Sequence, residues 1–169
     1  MQLFQRRRWI HPGRVDEGLD AFVRQLAWID AHTGLSMAGW RVDGLDAEPA
    51  AEPGAILATT IYDDHAWFLG EVARLQTLVG YQPVNDATEA LTVGTDAFER
   101  WDPPADLAGD WSFGDASFLQ GTGMGDVAPD GPVWVNVEGA EGLVAWFPSG
   151  DQPVATGERT RMERWLRIH

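Results

Sequence analysis

The densest run of residue types able to carry acid–base or metal chemistry is Asp63-Asp64-His65. Aspartate and histidine both move protons and both ligate divalent metals. Successive residues on a helix project about 100° apart, however, so three in a row do not converge on one ion. No H-x-x-x-H or H-E-x-x-H spacing accompanies them. A helix cap by one of the two aspartates accounts for the run more simply. Asp64 and His65 are therefore kept only as an alternative acid/base pair. His11, His32 and His169 stand at chain breaks or at the end of the chain, where solvated or capping roles are usual.

Other chemistries fail on residue type or spacing. The chain has no cysteine, which excludes disulfides, thiolate nucleophiles and cysteine-bound zinc. All 12 basic residues are arginine, which excludes a Schiff-base or phosphate-loop lysine. Ser36, Ser112, Ser117 and Ser149 are the only serines, and none sits in G-x-S-x-G. Gly121-Thr122-Gly123-Met124-Gly125 has the glycines of a phosphate loop. Asp126, Pro129, Asp130 and Pro132 follow it and oppose both a helix and an anion. Asp43-x-x-Asp46-x-Glu48 lacks the spacing of a calcium loop. A carboxylate pair with aromatic neighbours would suit glycoside hydrolysis, but composition nominates no pair. No catalytic residue is assigned, the reading leans away from an enzyme, and no cofactor or metal is expected.

Charge gives the strongest functional signal. Arg6, Arg7, Arg8 and Arg14 open the chain, and Arg159, Arg161, Arg164 and Arg167 close it. Between Val42 and Gly157 only Arg74 and Arg100 oppose 20 acidic residues, and the whole chain carries −14. Such a field repels nucleic acid and draws basic proteins. The expectation is an acidic protein-binding module, immunity- or inhibitor-like, that docks on a basic partner such as a nucleic-acid enzyme or a toxin. Asp43, Asp46, Glu48, Glu52, Asp102, Asp106, Asp110, Asp126 and Asp130 fall in loops and edges and would form its face. Trp101 and Trp134 are the expected aromatic anchors. Nine tryptophans are scattered along the chain, a distribution that mostly indicates core positions. The alternative is a small enzyme or small-molecule binder with a Trp-lined pocket between sheet and helices. A third reading spends the surplus tryptophan on a self-interface.

The elements that must position these residues read as α+β. At 169 residues and 44% hydrophobic content the chain suits one acidic domain spanning 1–169. Residues 2–10 form a strand with Phe4, Arg6, Arg8 and Ile10 on one face and Leu3, Gln5, Arg7 and Trp9 on the other. A helix from about Asp16 to His32 buries Leu19, Phe22, Val23, Leu26 and Ile29. Strands follow at 37–42 and 55–62, separated by a proline- and acid-rich loop at 43–54. A second helix runs from Asp63-Asp64 to Val79, with Trp67, Val72, Leu75 and Val79 inward and Gly80 closing it. The C-terminal half is β-rich: short strands at 90–94 and 110–119, then a hairpin of 133–138 and 143–147, then 161–168 as a strand or helical turn. Two amphipathic helices thus pack on a mainly antiparallel sheet. If the terminal segments pair, their arginines form one basic patch. No 18-residue apolar run is present, and a cytoplasmic bacterial protein is expected.

Overall fold

Strand β1 (Gln2–Ile10) holds three consecutive arginines, yet Arg7 and Arg8 are buried. Cover on both faces explains this, the barrel interior on one side and the helices on the other, with a partner strand along each edge. β1 lies between β3 (Ala55–Tyr62) and β4 (Thr92–Asp102), antiparallel to both, so neither of its edges meets water. β3 also pairs with β2 (Met37–Gly44), giving the order β4-β1-β3-β2. Helix α1 (Val15–His32) joins β1 to β2; α2 (His65–Leu75) and α3 (Tyr81–Glu89) join β3 to β4. This is the β-α-β-β-α-β arrangement of a split βαβ, or ferredoxin-like, unit.

Four further strands complete the sheet: β5 (Ser117–Gly121), β6 (Val133–Glu138), β7 (Leu143–Phe147) and β8 (Met162–Arg167). β8 pairs with β2 and with β5, β5 with β7, β7 with β6, and β6 with β4, all antiparallel. The result is a closed eight-strand barrel in the order β1-β3-β2-β8-β5-β7-β6-β4. Closure covers the edges of β2 and β4 that the first unit would leave open. The computed structural model describes residues 1–44, 54–107, 117–121, 133–139, 143–147 and 162–169. No helix among the described residues is long and apolar enough to cross a membrane.

Each face of the sheet has its own core. The barrel interior is filled by Leu3, Ala38, Trp40, Leu57, Trp101, Trp134 and Trp165. All four tryptophans are fully buried, and Trp40 Nε1 donates to Thr59 Oγ1 at 2.8 Å. An eight-strand barrel is just wide enough for side chains to fill it, and indoles supply the volume. The outer face carries the helices, over Ile10, Met37, Ile56, Ala58 and Tyr62. α1 buries Ala21, Phe22, Gln25, Leu26 and Ile29 at helical spacing. It seats closely because Gly18 faces Ile10: a Cβ there would fall 2.4 Å from Ile10 Cγ2.

The antiparallel α+β class, β1, β3 and the 133–147 hairpin follow the sequence expectation. Other elements depart from it. Among the described residues there are three helices instead of two. α2 stops at Leu75, where Thr77 N–H donates to the Arg74 carbonyl and Leu78 N–H to that of Leu75. Val79, beyond that end, is therefore 99% exposed; Trp67, in the first turn of α2, is 45% exposed and not inward either. Gly80, at φ 99°, then starts α3. β4 is longer than expected and carries on through Trp101 and Asp102 before the prolines end it. The two terminal strands are not neighbours, because β8 lies between β2 and β5. Of the N-terminal arginines Arg7 and Arg8 are buried, so they form no surface patch with the C-terminal ones; Arg159 and Arg161 lie outside the described residues.

Candidate ligand-binding site

Alternation along β1 sends Phe4, Arg6 and Arg8 to the outer face, beneath the helices. There they border a cavity of about 290 Å³. Its roof is Phe22, Leu26 and Ile29 of α1, Phe68, Val72 and Leu75 of α2, and Tyr81 of α3. Its floor is Met37, Ala58, Thr60 and Phe98 of the sheet. Phe4 packs on Phe68 and Phe98, with ring centroids 5.0 and 6.1 Å away. Phe68 stacks on Tyr62 at 4.4 Å. The lining is thus largely apolar, with aromatic side chains at one end.

The other end is polar and built around Arg8, which is 2% exposed. Asp96 Oδ2 accepts from Arg8 Nε at 3.2 Å and from Arg6 Nε at 2.7 Å, and it also contacts Arg6 Nη2. Arg8 Nη1 donates to Gln25 Oε1 at 3.3 Å, and Nη2 to Asn85 Oδ1 at 3.5 Å. Asn85 Oδ1 also accepts from Gln25 Nε2 at 2.9 Å and from Tyr81 Oη at 3.4 Å. Asn85 Nδ2 in turn donates to Glu89 Oε1 at 2.8 Å. Burial pulls the Arg8 guanidinium below its ordinary pKa, Arg6 adds to the pull, and Asp96 and Glu89 oppose it. Arginine stays protonated in proteins regardless, so the burial is felt as a demand for negative charge. Arg6 also lies over the Phe98 ring, 5.5 Å from its centroid.

The residues nominated from sequence lie elsewhere. Trp101 and Trp134 are fully buried inside the barrel and cannot anchor a surface partner. The cavity between sheet and helices is lined by phenylalanine, not by tryptophan; four of the nine tryptophans lie in the barrel instead. Asp64 caps α2, its Oδ1 accepting from Ala66 N at 2.8 Å and Trp67 N at 3.2 Å. His65 Nδ1 lies 3.1 Å from Tyr62 Oη, a phenol whose pKa burial pushes up. Neither Asp64 nor His65 borders the cavity. Asp43 sits in β2 opposite Arg164, Asp102 accepts from Gln2 Nε2 at 2.8 Å, and Asp106 is exposed. Asp46, Glu48, Glu52, Asp110, Asp126 and Asp130 lie outside the described residues.

Sequence reasoning missed Arg6, Arg8, Gln25 and Asn85 as site residues. For three of them a signal existed. Arg6 and Arg8 share a strand face with Phe4 and Ile10, and Gln25 shares a helix face with Phe22 and Ile29. Polar groups on otherwise apolar faces have to find partners, and here they find one another.

Fold and cavity together define a helix-covered α+β barrel with an apolar pocket that is polar at one end. No family model matches the chain, and no curated protein sequence matches it. Among the solved structures it is similar to is the crystal structure of an uncharacterized NIPSNAP domain protein from Burkholderia xenovorans. The two share 17% identity at a TM-score of 0.49, over 64% of this chain and 99% of that one. At that degree of similarity the neighbour says nothing about what this chain binds.

Proposed function

We propose that the chain is a binding protein for a small, largely apolar molecule held between the helices and the sheet. The observation that carries the reading is the cavity itself. Protein interiors pack with few voids larger than a water molecule. A space of about 290 Å³ lies instead near the lower end of ligand pockets, which run from about 300 to 1,000 Å³. Its charged groups, Arg6 and Arg8, stand together on β1 beside Gln25, an arrangement that orients a ligand.

The test is a thermal-shift and calorimetric screen of apolar molecules with eight to ten carbon atoms, run beside Ala58→Leu. Ala58 is a buried floor residue, and a leucine there occupies the space. Binding to the wild type, with a raised melting temperature, is expected to disappear in the variant. A screen with no binder, or equal binding to Ala58→Leu, removes the reading.

A second reading keeps a basic protein partner. Arg7 and Arg8 are buried, so the surface of this −14 chain is more acidic than its composition indicates. Charge of that sign speeds encounter with a positive surface and is screened by salt. Direct nucleic-acid binding is not part of this proposal, and a cytoplasmic setting is. A low-salt pull-down eluted by a salt gradient should release one basic protein. Loss of retention in Asp102→Arg/Asp106→Arg would place the face, and a column that retains nothing specific would end the idea.

A further inference from the structure

The polar end of the cavity is rich in donors and short of acceptors, and from this we infer that its ligand is an anion: an apolar molecule bearing one carboxylate, seated against Arg8 and Arg6. The inference rests on the ligand-binding reading above and specifies what the ligand must carry.

The count of hydrogen-bonding atoms supports it. Asp96 Oδ2 is shared by three guanidinium N–H groups, two from Arg6 and one from Arg8. Asn85 Oδ1 is shared by Arg8, Gln25 and Tyr81. Those two oxygens thus serve six donors, while Gln25 Oε1 and Glu89 Oε1 take one each, from Arg8 and Asn85. A hydrogen bond between an ionised nitrogen and an ionised oxygen ordinarily spans about 2.7–2.9 Å. None of the contacts of Arg8 is that short: they measure 3.2, 3.3 and 3.5 Å, and Glu89 Oε1 lies 3.6 Å away. Glu89 is also 53% exposed, so water screens much of its charge. Arg8 is therefore a buried cation whose hydrogen bonds are all long, two of them to neutral amide oxygens and one to a carboxylate oxygen shared with Arg6. An ammonium ligand would add only donors and a second positive charge, and a hydroxyl would add a single uncharged acceptor together with a further donor. A carboxylate would add two acceptors and match the planar fork of a guanidinium.

Geometry sets the rest of the molecule. Arg6 and Arg8 stand two residues apart on one face of β1, with Phe4 two residues farther along the same face. A head group held at the arginines therefore directs its body along β1 towards Phe4, Phe68 and Phe98. The matching class is a medium-chain or aryl-substituted carboxylic acid.

The experiment is calorimetric titration of the wild-type protein at pH 7 with octanoate and 3-phenylpropanoate. The matching alcohols and octylamine are run under the same conditions. The acids are expected to bind roughly ten- to a hundredfold more tightly than the alcohols, the ratio a hydrogen-bonded charge supplies. Arg8→Met should abolish that preference while leaving alcohol binding in place. Arg6→Gln alters a residue nearer the surface and should reduce the preference without endangering the fold. Equal binding of acid and alcohol, or a preference for the amine, would overturn the anion inference and leave the apolar pocket standing. Failure of every probe to bind the wild type would overturn both.

Discussion

The inner face of β1 sends Leu3, Gln5 and Arg7 into a barrel closed around four fully buried tryptophans. Its outer face sends Phe4, Arg6 and Arg8 to the edge of a cavity of about 290 Å³. One strand therefore serves a filled core and an incompletely filled one. The difference is geometric. Inside the barrel the opposing strands are fixed by hydrogen bonding around a closed ring, so the interior width is set and large rings can fill it. Over the outer face three helices rest on side chains alone, and long residues such as Arg8, Gln25 and Phe68 hold them off the sheet. Rigidity sits in the first core and space for a ligand in the second.

The comparison breaks most readily under matched truncations. Leu57 is fully buried in the barrel, while Leu26 is equally buried but borders the cavity. Leucine-to-alanine changes in cores cost about 2–5 kcal/mol, more where the surroundings cannot relax. Leu57→Ala should fall near the top of that range. Leu26→Ala should fall near the bottom, because the helices around it are held by side-chain contacts and can settle into the adjoining cavity. Urea unfolding of both variants measures the gap. Equal losses would mean that the two cores are packed alike.

How much of this was legible in the sequence depends on whether the signal was local. β1 and the 133–147 hairpin could be read because alternation and a glycine-bearing turn are written in neighbouring residues. α1 could be read from Phe22, Leu26 and Ile29 alone. α3 could not, because its inward positions are Tyr81, Asn85 and Thr88. That face is mostly polar: Tyr81 joins the apolar cluster beside Trp28, but Asn85 is buried against Arg8 and Gln25. Pro83 also suggests a break, although in the first turn of a helix it removes no needed hydrogen bond. Barrel closure was hidden for a different reason: β4–β6 and β2–β8 are pairings between distant segments, and no local pattern records them. Within the site, Arg6 and Arg8 were visible as charges on an apolar strand face. Their partners Asn85 and Asp96 lie 77 to 90 residues away in sequence and came only with the fold.

Enlarging a small residue tests the same contrast from the other side. Ala38 and Ala58 lie on adjacent strands and are both buried, but Ala38 faces the barrel and Ala58 the cavity. Ala38→Leu pushes three extra carbons into a filled interior and should cost about 1–3 kcal/mol. Ala58→Leu places the same carbons in open space and should cost under about 1 kcal/mol. Thermal unfolding of the two single variants gives the difference. A larger loss at Ala58 would show that the cavity closes up in solution.

The smallest effect concerns the helical layer alone. Glu71 of α2 accepts from Gly34 N–H at 2.7 Å and from Arg74 Nη2 at 2.7 Å, with Arg74 Nε on its other oxygen at 2.9 Å. It thereby ties the pocket's roof to the turn between α1 and β2. The Arg74 hydrogen bonds first, and the Gly34 amide second, hold its carboxyl down at about 2, against 4.5 ordinarily. A carboxylate depressed on folding stabilises above its unfolded pKa and loses that contribution as pH falls through its folded one. Wild type should therefore melt above Glu71→Gln at pH 7. The gap should stay full down to about pH 4.5 and close as pH falls towards about 2. Residues of the barrel take no part in this contact, so Leu57→Ala should show the same loss whether or not Glu71 is changed. A gap that persisted at pH 2 would mean that Glu71 acts through packing and not through its charge. Coupling between the two substitutions would mean that a change in the barrel is felt structurally at the Glu71 contact, and the division between roof and barrel would fail.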